Sequence, residues 1–113
     1  MKILVRNQQG ITVLSLKGKI TIGVGDVALR TAVNEALEAG ARNILLELSG
    51  VTTVDSSGIG EMVNAYTTVT NRGGQLKLVS LPAKVSDILQ ITQLITVFEV
   101  YDDEPEALAS FQT

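Results

Sequence analysis

The run Ile44-Leu45-Leu46-Glu47-Leu48 constrains this chain more than any other stretch, because it has almost no polar face to offer to water. A short run that is nearly all apolar suits a central strand covered on both sides, and therefore a sheet with helices packed on it. The residues around it agree. Ile11-Thr12-Val13-Leu14-Ser15-Leu16 alternates, with Thr12, Leu14 and Leu16 on one face and Ile11, Val13 and Ser15 on the other. Residues 3–7 form an earlier extended segment, and the turn-like Gln8-Gln9-Gly10 joins the two into an antiparallel hairpin.

Residues 18–25 hold three glycines and read as a flexible loop. Asp26 is then placed to cap a helix with the stripe Leu29, Val33, Ala36 and Leu37, closed by Gly40. A second helix is expected from near Ser57, with Ile59, Met62, Val63, Tyr66 and Val69 at helical spacing and Asn71-Arg72-Gly73-Gly74 at its end. The strand Leu76-Lys77-Leu78-Val79 follows, then a short helix presenting Val85, Ile88 and Leu89, then a last strand over residues 96–101. Asp103-Glu104-Pro105 opens a C-terminal helix that Leu108 and Phe111 dock. Alternation of strand and helix from residue 11 onward predicts an α/β fold. Its sheet is mixed but mostly parallel, with an antiparallel first strand, about four helices and right-handed crossovers.

Composition narrows the function. A length of 113 residues is that of one domain, 1–113, and no linker, repeat or low-complexity run divides it. With 45% apolar residues, only 4% aromatics and no tryptophan, the core must be aliphatic. A net charge of −3 lacks the basic stripe that nucleic acid requires. No segment approaches the roughly 20 apolar residues of a membrane span. The opening Met1-Lys2-Ile3-Leu4-Val5-Arg6 is too soon interrupted by charge for a signal peptide. The chain has no cysteine and no histidine, which removes disulfides, thiolate sites, the usual general base and the Ser-His-Asp triad. Carboxylates alone can bind magnesium or calcium, but nothing here resembles a calcium loop. These features point to a cytoplasmic domain that is not an enzyme and carries no cofactor or metal.

One segment carries chemistry: Val51-Thr52-Thr53-Val54-Asp55-Ser56-Ser57-Gly58-Ile59-Gly60, expected between the central strand and the second helix. Ligands and partners of open α/β sheets gather at such strand ends. Asp55, Ser56 and Ser57 are all good helix caps. Gly58 and Gly60 strip side chains from the first turn, so another molecule can approach the backbone. An exposed serine hydroxyl here is open to a kinase, and its phosphate would meet backbone N–H groups and the positive end of a helix. Capping alone also accounts for such serines. The segment is neither a Walker loop, which needs a lysine, nor the nucleophile elbow of hydrolases.

Asp55-Ser56-Ser57-Gly58-Ile59-Gly60, after a Leu-rich strand, resembles the STAS domain of anti-sigma factor antagonists. The likeness extends to Leu16-Lys17-Gly18-Lys19-Ile20, to Asn71-Arg72-Gly73-Gly74-Gln75-Leu76, to Val85-Ser86-Asp87-Ile88-Leu89-Gln90-Ile91-Thr92 and to Val97-Phe98, and so covers almost the whole chain. The resemblance implies a partner switch. The unphosphorylated antagonist binds an anti-sigma factor that is also a serine kinase, and the sigma factor is released. The kinase phosphorylates the serine before the motif glycine, and a separate serine phosphatase resets it. Carried onto this chain, the acceptor is Ser57. Asp55 shapes the acceptor site, and Ser56, Gly58 and Ile59 form the contact surface.

The chain departs from the family at Thr21, where many antagonists carry an acid after the glycine of the second strand. Asp26 stands in the next turn as a substitute, and Thr21 with Asp26 is expected to border the docking surface. Met62 and Tyr66 read as core, Lys84 as a solvated lysine and Asp102-Asp103-Glu104 as a helix start. Two other classes stand beside the switch. One is a scaffold or accessory subunit of a signalling or transport assembly. The other is an enzyme using Ser57 with a lysine base, although no lysine lies near the motif in sequence.

Overall fold

The computed structural model describes residues 1–111. The order of elements is β1 (Lys2–Gln8), β2 (Ile11–Ile20), α1 (Gly25–Glu38), β3 (Asn43–Val54), α2 (Ser56–Asn71), β4 (Gln75–Val79), α3 (Ala83–Ile91), β5 (Val100–Tyr101) and α4 (Glu104–Ser110), with a 3-10 turn at Leu94–Thr96. The five strands form one sheet in the order β1-β2-β3-β4-β5. β1 runs antiparallel to β2, and every other pairing is parallel. The architecture is the mixed α/β fold with four helices that the alternation predicts.

The two faces of the sheet are covered unequally. On one, Leu14, Leu16, Leu46 and Leu78 meet Leu29 and Val33 of α1, Met62 and Val69 of α2, and Val85 and Leu89 of α3. On the other, Ile11, Val13, Leu45 and Val79 meet Ala107, Leu108 and Phe111 at the C-terminal helix, with Tyr101 packed alongside. The alternation along β2 therefore sorts its side chains into two cores, as period-two geometry demands. The lesser core is reinforced by charge. Arg6 grips Glu104 with its two terminal guanidinium nitrogens, at 3.1 and 2.7 Å. Buried Lys77 reaches Ser110 at 2.9 Å and Glu99 at 2.8 Å, with the Phe111 ring beneath it. Buried ammonium groups need such partners.

Four expectations are corrected. Residues 18–20 are not loop: β2 continues through Ile20, and the register against β3 shifts on either side of Gly18, whose φ is +110°. A bulge of this kind interrupts the alternation, so the strand disappears from the sequence pattern after Leu16. β3 is correspondingly longer than Ile44-Leu45-Leu46-Glu47-Leu48, and Val51-Thr52-Thr53-Val54 belongs to it, paired with the end of β2. The strand expected over residues 96–101 is reduced to Val100 and Tyr101. Phe98 is instead turned into the larger core, edge-on to Tyr66 at 5.5 Å. The fourth concerns Asp26. The residue before α1 is Val24, which makes no side-chain cap, while Asp26 lies inside the first turn.

Other details hold. Gly40 has φ +101° and closes α1, its N–H reaching the Leu37 carbonyl while Ala41 N–H reaches Ala36, the two bonds of a Schellman ending. Asp103 caps α4 through the Glu106 N–H at 2.9 Å. Met62 is buried and Lys84 exposed, as expected.

Candidate functional site

β2 and β3 lie side by side and parallel, so the loops leaving their carboxyl ends emerge together. The loop after β3 is a single residue, Asp55, before α2 begins at Ser56. Asp55 is extended, with φ −103° and ψ −175°, and its Oδ1 accepts the Gly58 N–H at 2.8 Å. Oδ2 accepts the Ile22 N–H at 3.0 Å from the loop after β2. One carboxylate thus caps α2 and ties the neighbouring loop to it. The Gly58 N–H, then the Ile22 N–H, hold the Asp55 carboxyl below the usual carboxylate range.

Ser56 and Ser57 occupy the first two positions of α2; Ser56 is exposed and Ser57 half-buried. The 16-residue helix directs its positive end at this turn, where Asp55 takes the Gly58 N–H with its side chain and the Ile59 N–H with its carbonyl. Gly58 and Ile59 are buried. The sequence suggests that Gly58 and Gly60 both leave the backbone open, and the structure separates them. A Cβ on Gly58 would stand 2.0 Å from the Ile20 carbonyl oxygen, so this glycine is where α2 presses on the end of β2. A Cβ on Gly60 would meet nothing within 4 Å.

The loop after β2 is built differently. The Thr21 carbonyl accepts the Asp26 N–H at 3.1 Å, closing the turn. Gly25 seats α1 on β2, its would-be Cβ 1.9 Å from the Lys19 carbonyl. Asp26 is largely buried and accepts the Val27 N–H at 2.7 Å, while Thr21 is half-buried. The exposed surface here is instead apolar: Ile22 and Val24 of the loop and Val27 in the first turn of α1 are 71, 64 and 45% exposed. Reading for charged contacts passes over these three, although apolar residues among glycines and outside any alternating pattern are a signal. Alongside, Arg30 of α1 bonds Glu61 of α2 at 2.9 Å. Glu61 is buried and paired with Arg30.

Asp55, Ser56, Ser57, Gly58 and Ile59 are therefore gathered at one helix start, with the Thr21–Asp26 loop hydrogen-bonded to it. A groove of about 840 Å³ lies between β1 and α1, lined by Ile3, Val5, Ala32 and Ala36 among others, and none of residues 55–59 borders it. No cluster of three or more acidic side chains suited to a metal occurs among the described residues. No described helix is long and apolar enough to cross a membrane.

The family model for the STAS domain matches residues 2–107. A Thermotoga neapolitana protein named as a candidate anti-sigma factor antagonist is 32% identical over 92% of each chain. The crystal structure of a Thermotoga maritima protein described in the same way superposes with a TM-score of 0.90 at 26% identity, covering 98% of this chain and 95% of that one. The Bacillus anti-sigma factor antagonist SpoIIAA, solved in its phosphorylated form, shares the fold with a TM-score of 0.74 at 18% identity, over 96% of this chain and 98% of its own.

Proposed function

The chain belongs to the STAS domain family, and from that we propose that it is an anti-sigma factor antagonist switched by phosphorylation of Ser57. Unphosphorylated, it binds an anti-sigma factor that is also a serine kinase, and the sigma factor goes free. Phosphorylated, it releases the kinase until a serine phosphatase restores it. The observation that carries this reading is the start of α2, where Asp55 fixes two serines at a helix N-terminus on an open surface.

The chemistry is sufficient for a switch. Phosphorylation adds roughly −1.5 to −2 charge near neutral pH. At Ser57 that charge stands two residues from an ionised Asp55, on a surface shaped to dock. A loss of only about 1.4 kcal/mol weakens a complex tenfold, so bulk and charge at the contact are enough without refolding.

Mass analysis of peptides from the protein purified from its own cells, before and after phosphatase treatment, tests the reading. A phosphate on Ser57 is the expected result. Ser57→Ala should lock the kinase-bound state and Ser57→Asp should release it. A phosphate found only on Ser56 would move the acceptor to the more exposed neighbour. Protein that is never modified, and that tolerates both substitutions, would be a passive scaffold.

A further inference from the structure

Arg30 of α1 reaches across to α2, and the residue it meets lies one turn from the proposed phosphoacceptor. Its Nε donates to Glu61 at 2.9 Å. A guanidinium also donates from both terminal nitrogens, and among the described residues those of Arg30 meet no hydrogen-bond acceptor. The Arg30 side chain is 51% exposed and that of Glu61 only 9%. One edge of the arginine is thus anchored to a buried carboxylate while the rest stands open.

Ser57 and Glu61 stand in i and i+4 relation on α2, so they share one face with Cβ atoms about 5–6 Å apart. Helical side chains lean toward the N-terminus, which carries the Glu61 carboxylate, and the arginine on it, toward Ser57. The core stripe of α2 runs through Gly58, Met62, Ala65 and Val69, and Ser57 and Glu61 lie on its α1 flank. Ser56, one residue earlier, is exposed on the outer side. The charges around Ser57 are otherwise mostly negative: Asp55 before α2, Glu61 within it and Asp26 on α1, with Lys19 exposed at the end of β2. Glu61 foremost, with Asp26 adding less, keeps the Arg30 guanidinium charged. A phosphate placed among these carboxylates needs a cation, and the planar fork of arginine fits phosphate oxygens in pairs.

Resting on the proposed switch at Ser57, we infer that Arg30 is the domain's own receptor for that phosphate: Nε stays on Glu61 while the terminal nitrogens close on the phosphate oxygens. Phosphorylation then ties the first turn of α2 to α1 through one arginine. It also changes the surface twice over, adding an anion and withdrawing the donors that the unmodified domain leaves open. A phosphate on Ser56 gains no such partner, because that side chain is on the outer side of the helix.

The test uses the full chain with phosphoserine genetically encoded at position 57, so that no kinase is needed, and follows the second ionisation of the phosphate by phosphorus NMR. With Arg30 present the phosphate should titrate at or below its ordinary value of about 6. Arg30→Gln should raise that midpoint by about half a unit or more, because the neighbouring carboxylates then act unopposed. Arg30→Lys, which keeps the charge and loses the fork, should fall between the two, and Lys19→Gln should leave the midpoint where it is. Phosphoserine encoded at position 56 should titrate alike with and without Arg30. A merely structural arginine would lower the thermal midpoint of its variants without moving the ionisation of the phosphate. Equal phosphate midpoints with arginine and glutamine at position 30, or an equal shift at position 56, overturn the inference and leave the switch standing. Peptide mass analysis of protein from its own cells decides the switch separately: a Ser57 that is never modified sinks that reading whatever the titration shows.

Discussion

The starts of α1 and α2 stand side by side at one end of the sheet, and each presses a glycine onto β2: Gly25 against the Lys19 carbonyl, Gly58 against the Ile20 carbonyl. Beyond that shared constraint they differ. α2 has a side-chain cap in Asp55 and polar residues behind it; α1 follows Val24, has no side-chain cap, and leaves apolar side chains outside. One start is polar and capped, the other uncapped and apolar on its outside. The Asp55 bond to Ile22 ties the second to the first.

The comparison is most severely tested at the two seats. Gly58→Ala forces a methyl into the Ile20 carbonyl and should cost about 3 kcal/mol, the upper part of the usual overpacking range. Gly25→Ala should cost about 2 kcal/mol, because the uncapped start of α1 shifts more readily. Urea unfolding measures both; equal losses would mean that the Asp55 cap adds no rigidity. Gly60→Ala should gain about 1 kcal/mol in the same assay, which sets it apart from its neighbour Gly58.

Asp55→Asn keeps a capping side chain and removes the charge, so its effect should appear with pH. The folded carboxyl titrates below its unfolded value, and its contribution is therefore complete above the unfolded pKa of about 4 and lost as pH falls through the lower folded value. Wild-type thermal midpoints should exceed those of Asp55→Asn near pH 6 and converge with them in strong acid. A constant gap at every pH would locate the effect in geometry instead of charge. The smallest change is expected from Val24→Asp. With ψ −70° this residue lacks the extended conformation of a side-chain cap, and stability should move by less than about 0.5 kcal/mol.

Much of the fold can be read in the residue order. The hairpin, the covered strand at Ile44, the helical stripe through Met62 and Val69, and the Gly40 ending all follow from local periodicity and turn chemistry. The bulge at Gly18 could not be read, because register depends on the partner strand, and the short β5 was hidden because Val97-Phe98 looks like strand while Phe98 serves the core. At the site, the order of Asp55, Ser56 and Ser57 was visible. The division of labour between Gly58 and Gly60 was not, since both are simply glycines until a neighbouring carbonyl is placed against one of them.

By itself the sequence determined the alternation of strand and helix, the aliphatic core, and a capped helix start carrying two serines. Those properties depend on side chains a few residues apart. Tertiary structure alone decided which surface adjoins that start. Asp55 and Ile22 are 33 residues apart, and only parallel pairing of β2 with β3 brings the carboxylate within 3.0 Å of the amide. That pairing sets the apolar loop beside Asp55 and the start of α2, because a sheet register positions distant backbone groups that no local pattern can specify.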